Sequence, residues 1–124
     1  MERFSGLLRG YRERAGLSQN ELARRAGVNP GSINRIESGE REPSSRELIV
    51  RLSDALGLSP FELDQLLLAA GQLPTMFDRI PPDDPILLLV GDILGDPSIP
   101  ESERREFRLQ IQLAARRWRQ NVGN

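Results

Sequence analysis

Arginine is the only strong cation in this chain, whose 124 residues include no lysine, no histidine and no cysteine. That composition removes imidazole bases, thiolate nucleophiles, disulfides and the commonest zinc ligands together. The carboxylates read as helix caps and surface charge, and no phosphate-cradling glycine loop or nucleophile motif stands among them. Neither an enzyme nor a metal or cofactor site is therefore expected. What remains is recognition chemistry. The stretch Asn29-Pro30-Gly31-Ser32-Ile33-Asn34-Arg35-Ile36-Glu37 carries two amides, a hydroxyl and a guanidinium close together. A guanidinium forks onto two acceptors at once, such as O6 and N7 of guanine. An asparagine amide donates and accepts side by side, which suits an adenine edge.

Two short helices joined by a glycine turn would position these groups. Ser18 followed by Glu21 is a capping box, which starts a helix at about Gln19. Leu22, Ala23 and Ala26 share one face of it, and Gly27 stands where a residue tolerant of positive φ is needed. Asn29 is a suitable N-cap and Pro30 a suitable first residue for the next helix, about Pro30–Ser38. Ile33 and Ile36 set its buried face. At about 100° per residue, Gly31 then falls at the centre of the outward face, with Asn34 and Arg35 flanking it and Ser32 at one edge. The base-reading set is accordingly Asn29, Gly31, Ser32, Asn34 and Arg35. Ser18 and Gln19 stand at a helix N-terminus, where free N–H groups and the dipole favour an anion such as phosphate. A small residue, a glycine and two aliphatics at these offsets form a helix-turn-helix signature, whose second helix enters the major groove of double-stranded DNA.

Residues 3–71 resemble the phage-repressor-like helix-turn-helix domain of the Xre or Cro/C1 type. The matching phrases are Leu17-Ser18-Gln19, Glu21-Leu22-Ala23, Ala26-Gly27-Val28, Ser32-Ile33-Asn34-Arg35-Ile36-Glu37, Gly39, Arg41, Pro43 and Ala55-Leu56-Gly57. The resemblance implies an all-α, five-helix, lambda-repressor-like domain in a transcriptional regulator, most often a repressor, that binds a palindromic operator as a homodimer. It also implies that Arg12 and Glu37 form a structural ion pair between the first helix and the end of the recognition helix. By the same resemblance Gln19 binds the DNA backbone, sometimes bracing a base-reading side chain, and Arg41 stands at a basic phosphate-contacting position. Pro30 and Gly31 depart from the family pattern, in which the matching positions often carry long polar side chains. Readout would then lean on Arg35 and on DNA shape. Glu40 and Glu42 argue against a strong phosphate clamp at Arg41. Arg9 and Arg24 or Arg25 read either as further phosphate contacts or as solvated charges.

The first helix is expected over about Glu2–Ala15, with Phe4, Leu7, Leu8, Tyr11 and Ala15 as its stripe. Ser44 with Glu47 is expected to open a fourth helix reaching about Leu56, with Leu48, Ile49, Leu52, Ala55 and Leu56 inward. Ser59-Pro60-Phe61-Glu62 starts a fifth, apolar over more than half its circumference through Phe61, Leu63, Leu66, Leu67 and Leu68. The stretch 72–85 holds four prolines and reads as a linker. A sixth helix, Ile86 to about Leu94, is apolar all round and must be buried on several sides. Ser98 with Glu101 is expected to open a seventh, about Pro100–Gln120. It carries the stripe Phe107, Ile111, Ala114, Ala115, Trp118 and an opposite one of Leu109 and Leu113.

The organisation expected is thus a helix-turn-helix domain over 1–71, a linker over 72–85 and a helical C-terminal segment over 86–120. That segment is too small to bury its own apolar surface. Either the fifth to seventh helices pack against their mates in a two-fold dimer, or the last two fold back over the fifth in a monomer. Either way the appendage is too short for a ligand-binding barrel or a catalytic domain. An alternative function is an antitoxin or partner-controlled regulator whose C-terminal helices bind a toxin or a protease. Residues 1–52 hold ten arginines against seven carboxylates, a charge of +3, and residues 53–124 seven against eleven, a charge of −4. The basic half is the one that would meet DNA. No signal peptide or membrane span is legible, so a cytoplasmic protein is expected, on the nucleoid when bound to DNA.

Overall fold

The computed structural model describes residues 3–122, which form seven α-helices and one 3-10 turn, with no strand among them. They fall into two compact units that divide between Arg79 and Ile80. The expected helix start at Glu2 lies outside the described residues.

The first unit holds α1 (Phe4–Arg14), α2 (Gln19–Ala26), α3 (Pro30–Glu37), α4 (Arg46–Leu56) and α5 (Pro60–Ala69). Local chemistry sets these boundaries. Ser18 and Glu21 close a complete capping box on α2, and Ser59 and Glu62 do the same on α5. Gly27 ends α2 at φ 70°, a conformation an L side chain resists. Within the unit, Phe4, Leu8, Leu22, Ala23, Ile33, Ile36, Ile49, Leu52, Leu66 and Leu67 belong to one continuous core. Full burial of an aliphatic or aromatic side chain stabilises by about 1.5–3 kcal/mol, so this core drives the unit's folding.

The structure differs from three expectations. Ala15 is exposed, because α1 has already ended at Arg14. Ser45, not Ser44, caps α4, its Oγ accepting from the Leu48 N–H at 3.1 Å. Both serines have capping chemistry, and the burial of Leu48, Ile49 and Leu52 selects between them. Finally, the proline-rich stretch carries a 3-10 turn at Thr75–Asp78, pinned to the helices before it. Arg46 Nη1 donates to the Leu73 carbonyl at 2.7 Å, and the Thr75 N–H donates to Asp64 Oδ1 at 2.7 Å.

The second unit holds α6 (Pro85–Leu94) and α7 (Glu101–Val122). Asp84 caps α6 by accepting from the Ile86 N–H at 2.9 Å. Ser98 does not form the expected box with Glu101. Its N–H and hydroxyl both donate to Asp96 Oδ1, at 2.8 and 2.7 Å, while Glu101 pairs with Arg104 and Arg108. The helices meet at their joined ends, where Arg104 Nη1 donates to the Leu94 carbonyl at 3.3 Å. The burial expected of the sixth helix is not met within this unit. No described residue of this unit is buried, and Ile86, Leu88 and Leu89 are each more than half exposed.

An ion pair between Arg14 and Glu62 joins α1 to α5. The Arg14 guanidinium, with the Ser59 backbone N–H, pushes the Glu62 carboxyl down to about 2. A carboxyl held this low contributes stability above the ordinary carboxyl range, and that contribution is lost as pH falls toward about 2. In a proton NMR titration Glu62 is expected to stay ionised well below the ordinary carboxyl range, and to return toward that range in Arg14→Ala. An unchanged titration in the variant would contradict the pairing.

Candidate nucleic-acid interface

Glu37, the last residue of α3, is the chemical centre of the site. Its side chain is fully enclosed, and as an ionised carboxylate it can only accept hydrogen bonds. Arg12 supplies a two-pronged fork from α1, Nε to Oε2 at 2.6 Å and Nη2 to Oε1 at 2.8 Å, with Nη1 on the Leu17 carbonyl at 2.9 Å. From α2, the Gln19 amide donates to Oε1 at 3.2 Å. Arg9, one turn before Arg12, donates to Oε1 at 3.5 Å and to the Glu37 carbonyl at 3.4 Å. Burial by itself would raise the Glu37 carboxyl, but the hydrogen bonds from Arg12 and Gln19 outweigh it and hold the group ionised below the usual range. The same contact raises the Arg12 guanidinium.

The carboxylate imposes an orientation on everything that touches it. Gln19 must turn its NH2 inward, which leaves its Oε1 facing outward. That oxygen accepts from Asn34 Nδ2 at 3.2 Å. A single direction of donation therefore runs from exposed Asn34 on α3, through Gln19 on α2, to the buried end of α3. Asn34 keeps its oxygen and its second N–H for a partner outside.

The sequence-derived residues come together on one surface, with differences in detail. Asn34 and Arg35 are exposed on the outward face of α3. Asn29 is exposed too, but its oxygen is engaged as the N-cap, accepting from the Gly31 N–H at 2.7 Å, so its NH2 is the end left for a ligand. Ser32 is half-buried at the edge. Gly31, expected at the open centre, is half-buried because the Arg35 guanidinium lies back across it. A Cβ at position 31 would stand 3.8 Å from Arg35 Nη1 and 3.1 Å from Asn29 Oδ1. A Cβ there would meet the arginine at ordinary contact distance and would crowd only the Asn29 cap oxygen. Ser18 uses its oxygen to cap α2, accepting from the Glu21 N–H at 3.0 Å. The N–H groups of Gln19 and Asn20 have no acceptor inside α2 and open to one end of the surface. Arg41 is exposed in the turn after α3, its N–H on the Arg35 carbonyl at 3.2 Å.

Two features escaped the sequence reading. Arg9 faces Glu37 rather than standing alone; its spacing of three from Arg12 on one helix was the available signal. Which side chain Gln19 braces had no local signal; it is Asn34, and the choice depends on how closely α2 and α3 cross.

The fold and this surface define a helix-turn-helix module. The family described as "Helix-turn-helix domain" matches residues 3–66. The chain belongs to the helix-turn-helix family of DNA-binding regulators. It is similar to the HTH-type transcriptional repressor RghR of Bacillus subtilis (strain 168), with 40% identity over 62 residues that cover 50% of this chain and 45% of that protein. The match thus spans less than half of that relative's length. No solved structure matches the chain. Among the described residues no helix is long and apolar enough to cross a membrane.

Removing one member of a buried ion pair leaves an uncompensated charge, which costs about 3–5 kcal/mol. Arg12→Ala is expected to destabilise the first unit toward the lower end of that range in urea unfolding, because Arg9 and Gln19 still donate. The pair replacement Arg12→Met with Glu37→Met is expected to cost less than Arg12→Ala alone. Equal stability of Arg12→Ala and the parent would contradict the role given to the pair.

Proposed function

We propose that this chain is a sequence-specific transcriptional repressor of the Xre or Cro/C1 type, working in the cytoplasm as a homodimer on a palindromic operator. One observation carries the reading: Asn34 and Arg35 stand exposed on α3 while the buried Glu37 at the same helix's end ties it to α1 and α2. In this reading α3 lies in the major groove. Arg35 forks onto a guanine, and Asn34 reads an adenine or holds a phosphate. Asn29 donates from its NH2, and Gly31 and Ser32 let the backbone approach. The free N–H groups at the start of α2, beside Ser18 and Gln19, take a backbone phosphate, and Arg41 takes another.

Residues 1–71 act as the DNA-binding domain and 86–120 as the dimerising segment, with 72–85 between them. Phe61 and Leu68 on α5, and the exposed apolar residues of α6 and α7, support dimerisation through these helices. A dimer would set the half-sites about one helical turn apart. The work is binding rather than catalysis. Ile86, Leu88 and Leu89 on α6 favour a second reading, in which that helix also holds a protein partner such as a toxin or a protease. A neighbouring gene for either protein would select it.

Selection of random duplex DNA by the purified chain, with Arg35→Ala in parallel, tests the proposal. A palindromic motif is expected, with guanine discrimination at one position per half-site weakened by about 1–3 kcal/mol in the variant. Failure to enrich any motif would overturn sequence-specific binding.

A further inference from the structure

We propose that the second copy of this chain docks on α7 in antiparallel orientation, with the partner subunit's Trp118 seated in the groove between Ile93, Ile99 and Phe107. This rests on the homodimer reading above and assigns its geometry. α7 is twenty-two residues long against ten for α6, and the two touch near their junction, where Arg104 reaches the Leu94 carbonyl. Beyond that junction the stripe of Phe107 continues uncovered through Ile111, 39% exposed, to Trp118, 68% exposed. The groove itself, about 250 Å³ and edged by Glu103, Glu106 and Gln110, opens beside the first turns of α7. An apolar helix end with an exposed indole and an apolar groove with an acidic rim thus lie at opposite ends of one helix.

Charge selects the orientation. At about 100° per residue, Glu101 and Arg119 fall on one edge of the Phe107–Ile111–Trp118 stripe, and Glu103 and Arg117 on the other. Both acids sit in the first turn and both arginines near the end. A two-fold axis near Gln110 that pairs α7 antiparallel with its copy brings Glu101, which Arg104 and Arg108 of its own helix also hold, against the partner subunit's Arg119. It also sets Glu103 against the partner subunit's Arg117, on the matching edges. The same register carries the partner subunit's Trp118 to the level between Ile99 and Phe107, where the groove lies. Parallel pairing would instead set acids on acids and arginines on arginines along both edges, which is destabilising. A buried indole flanked by satisfied charges is the usual anchor of a protein interface.

Trp118 is the only tryptophan in the chain, so its fluorescence reports on this contact alone. The experiment is sedimentation velocity of the full chain over a concentration series, with tryptophan emission recorded alongside and helix content checked by circular dichroism. The parent is expected to dimerise, with emission moving to the blue as the dimer forms. Trp118→Ala is expected to raise the dimer Kd by at least about tenfold. Glu103→Arg and Arg117→Glu should each weaken the dimer several-fold, and combining them should restore it. A dimer unaffected by these variants, with solvent-exposed emission, would overturn this docking while leaving the homodimer standing. A chain monomeric at all concentrations would overturn both, and the DNA selection would still judge the DNA-binding reading separately.

Discussion

The helix-turn-helix unit depends on one buried carboxylate. Enclosing Glu37 without donors would cost several kcal/mol, so the chain surrounds it with three: two arginines from α1 and an amide from α2. Because α3 itself carries the acid, this cluster fixes three helices relative to one another at a point that the aliphatic core alone would leave free to slide. Ile33 and Ile36 decide which side of α3 is inside. The charge cluster decides where along α2 and α1 that helix stops. Specific recognition needs such placement, since the outward side chains must meet base edges within a fraction of an ångström.

The same carboxylate also gives the surface a polarity. An acceptor at the centre dictates that Gln19 donates inward and therefore accepts from outside, and Asn34 satisfies it. Had the buried group been a cation, Gln19 would have turned the other way; had it been an amide, which both donates and accepts, either orientation would have served. Here the electrostatics of the interior reach an exposed side chain on the outward face of α3. Arg35 is placed differently: its guanidinium lies back over Gly31 on the same helix.

Much of the first unit was legible because its boundaries are local chemistry. Ser18 with Glu21, Asn29 with Pro30, and Ser59 with Glu62 each mark a helix start within the span of one turn, and Gly27 and Gly57 mark ends. Where two residues share the same local chemistry, as Ser44 and Ser45 do, the sequence has no means of choosing, and core packing decides. The candidate site was legible in membership more than in geometry. A helical wheel places Gly31 at the open centre but knows nothing of the arginine four residues later that covers it. Contacts such as Arg9 with Glu37 join segments 28 residues apart, and only the folded chain brings them together. In the second unit the pattern of apolar residues was plain, yet that unit does not itself supply the expected burial. A helix greasy on all sides tells that something must cover it, not what does.

The central claim is that the outward face of α3, set by the Glu37 cluster, is what meets DNA. The most direct measurement is amide chemical-shift mapping of the labelled chain titrated with a duplex that it selects. The account expects the largest shifts from Asn29 to Arg35, at the N-terminus of α2 and at Arg41, with intermolecular contacts from the Arg35 guanidinium to a guanine. Shifts confined to α5, α6 or α7, with α3 unmoved at saturation, would contradict it.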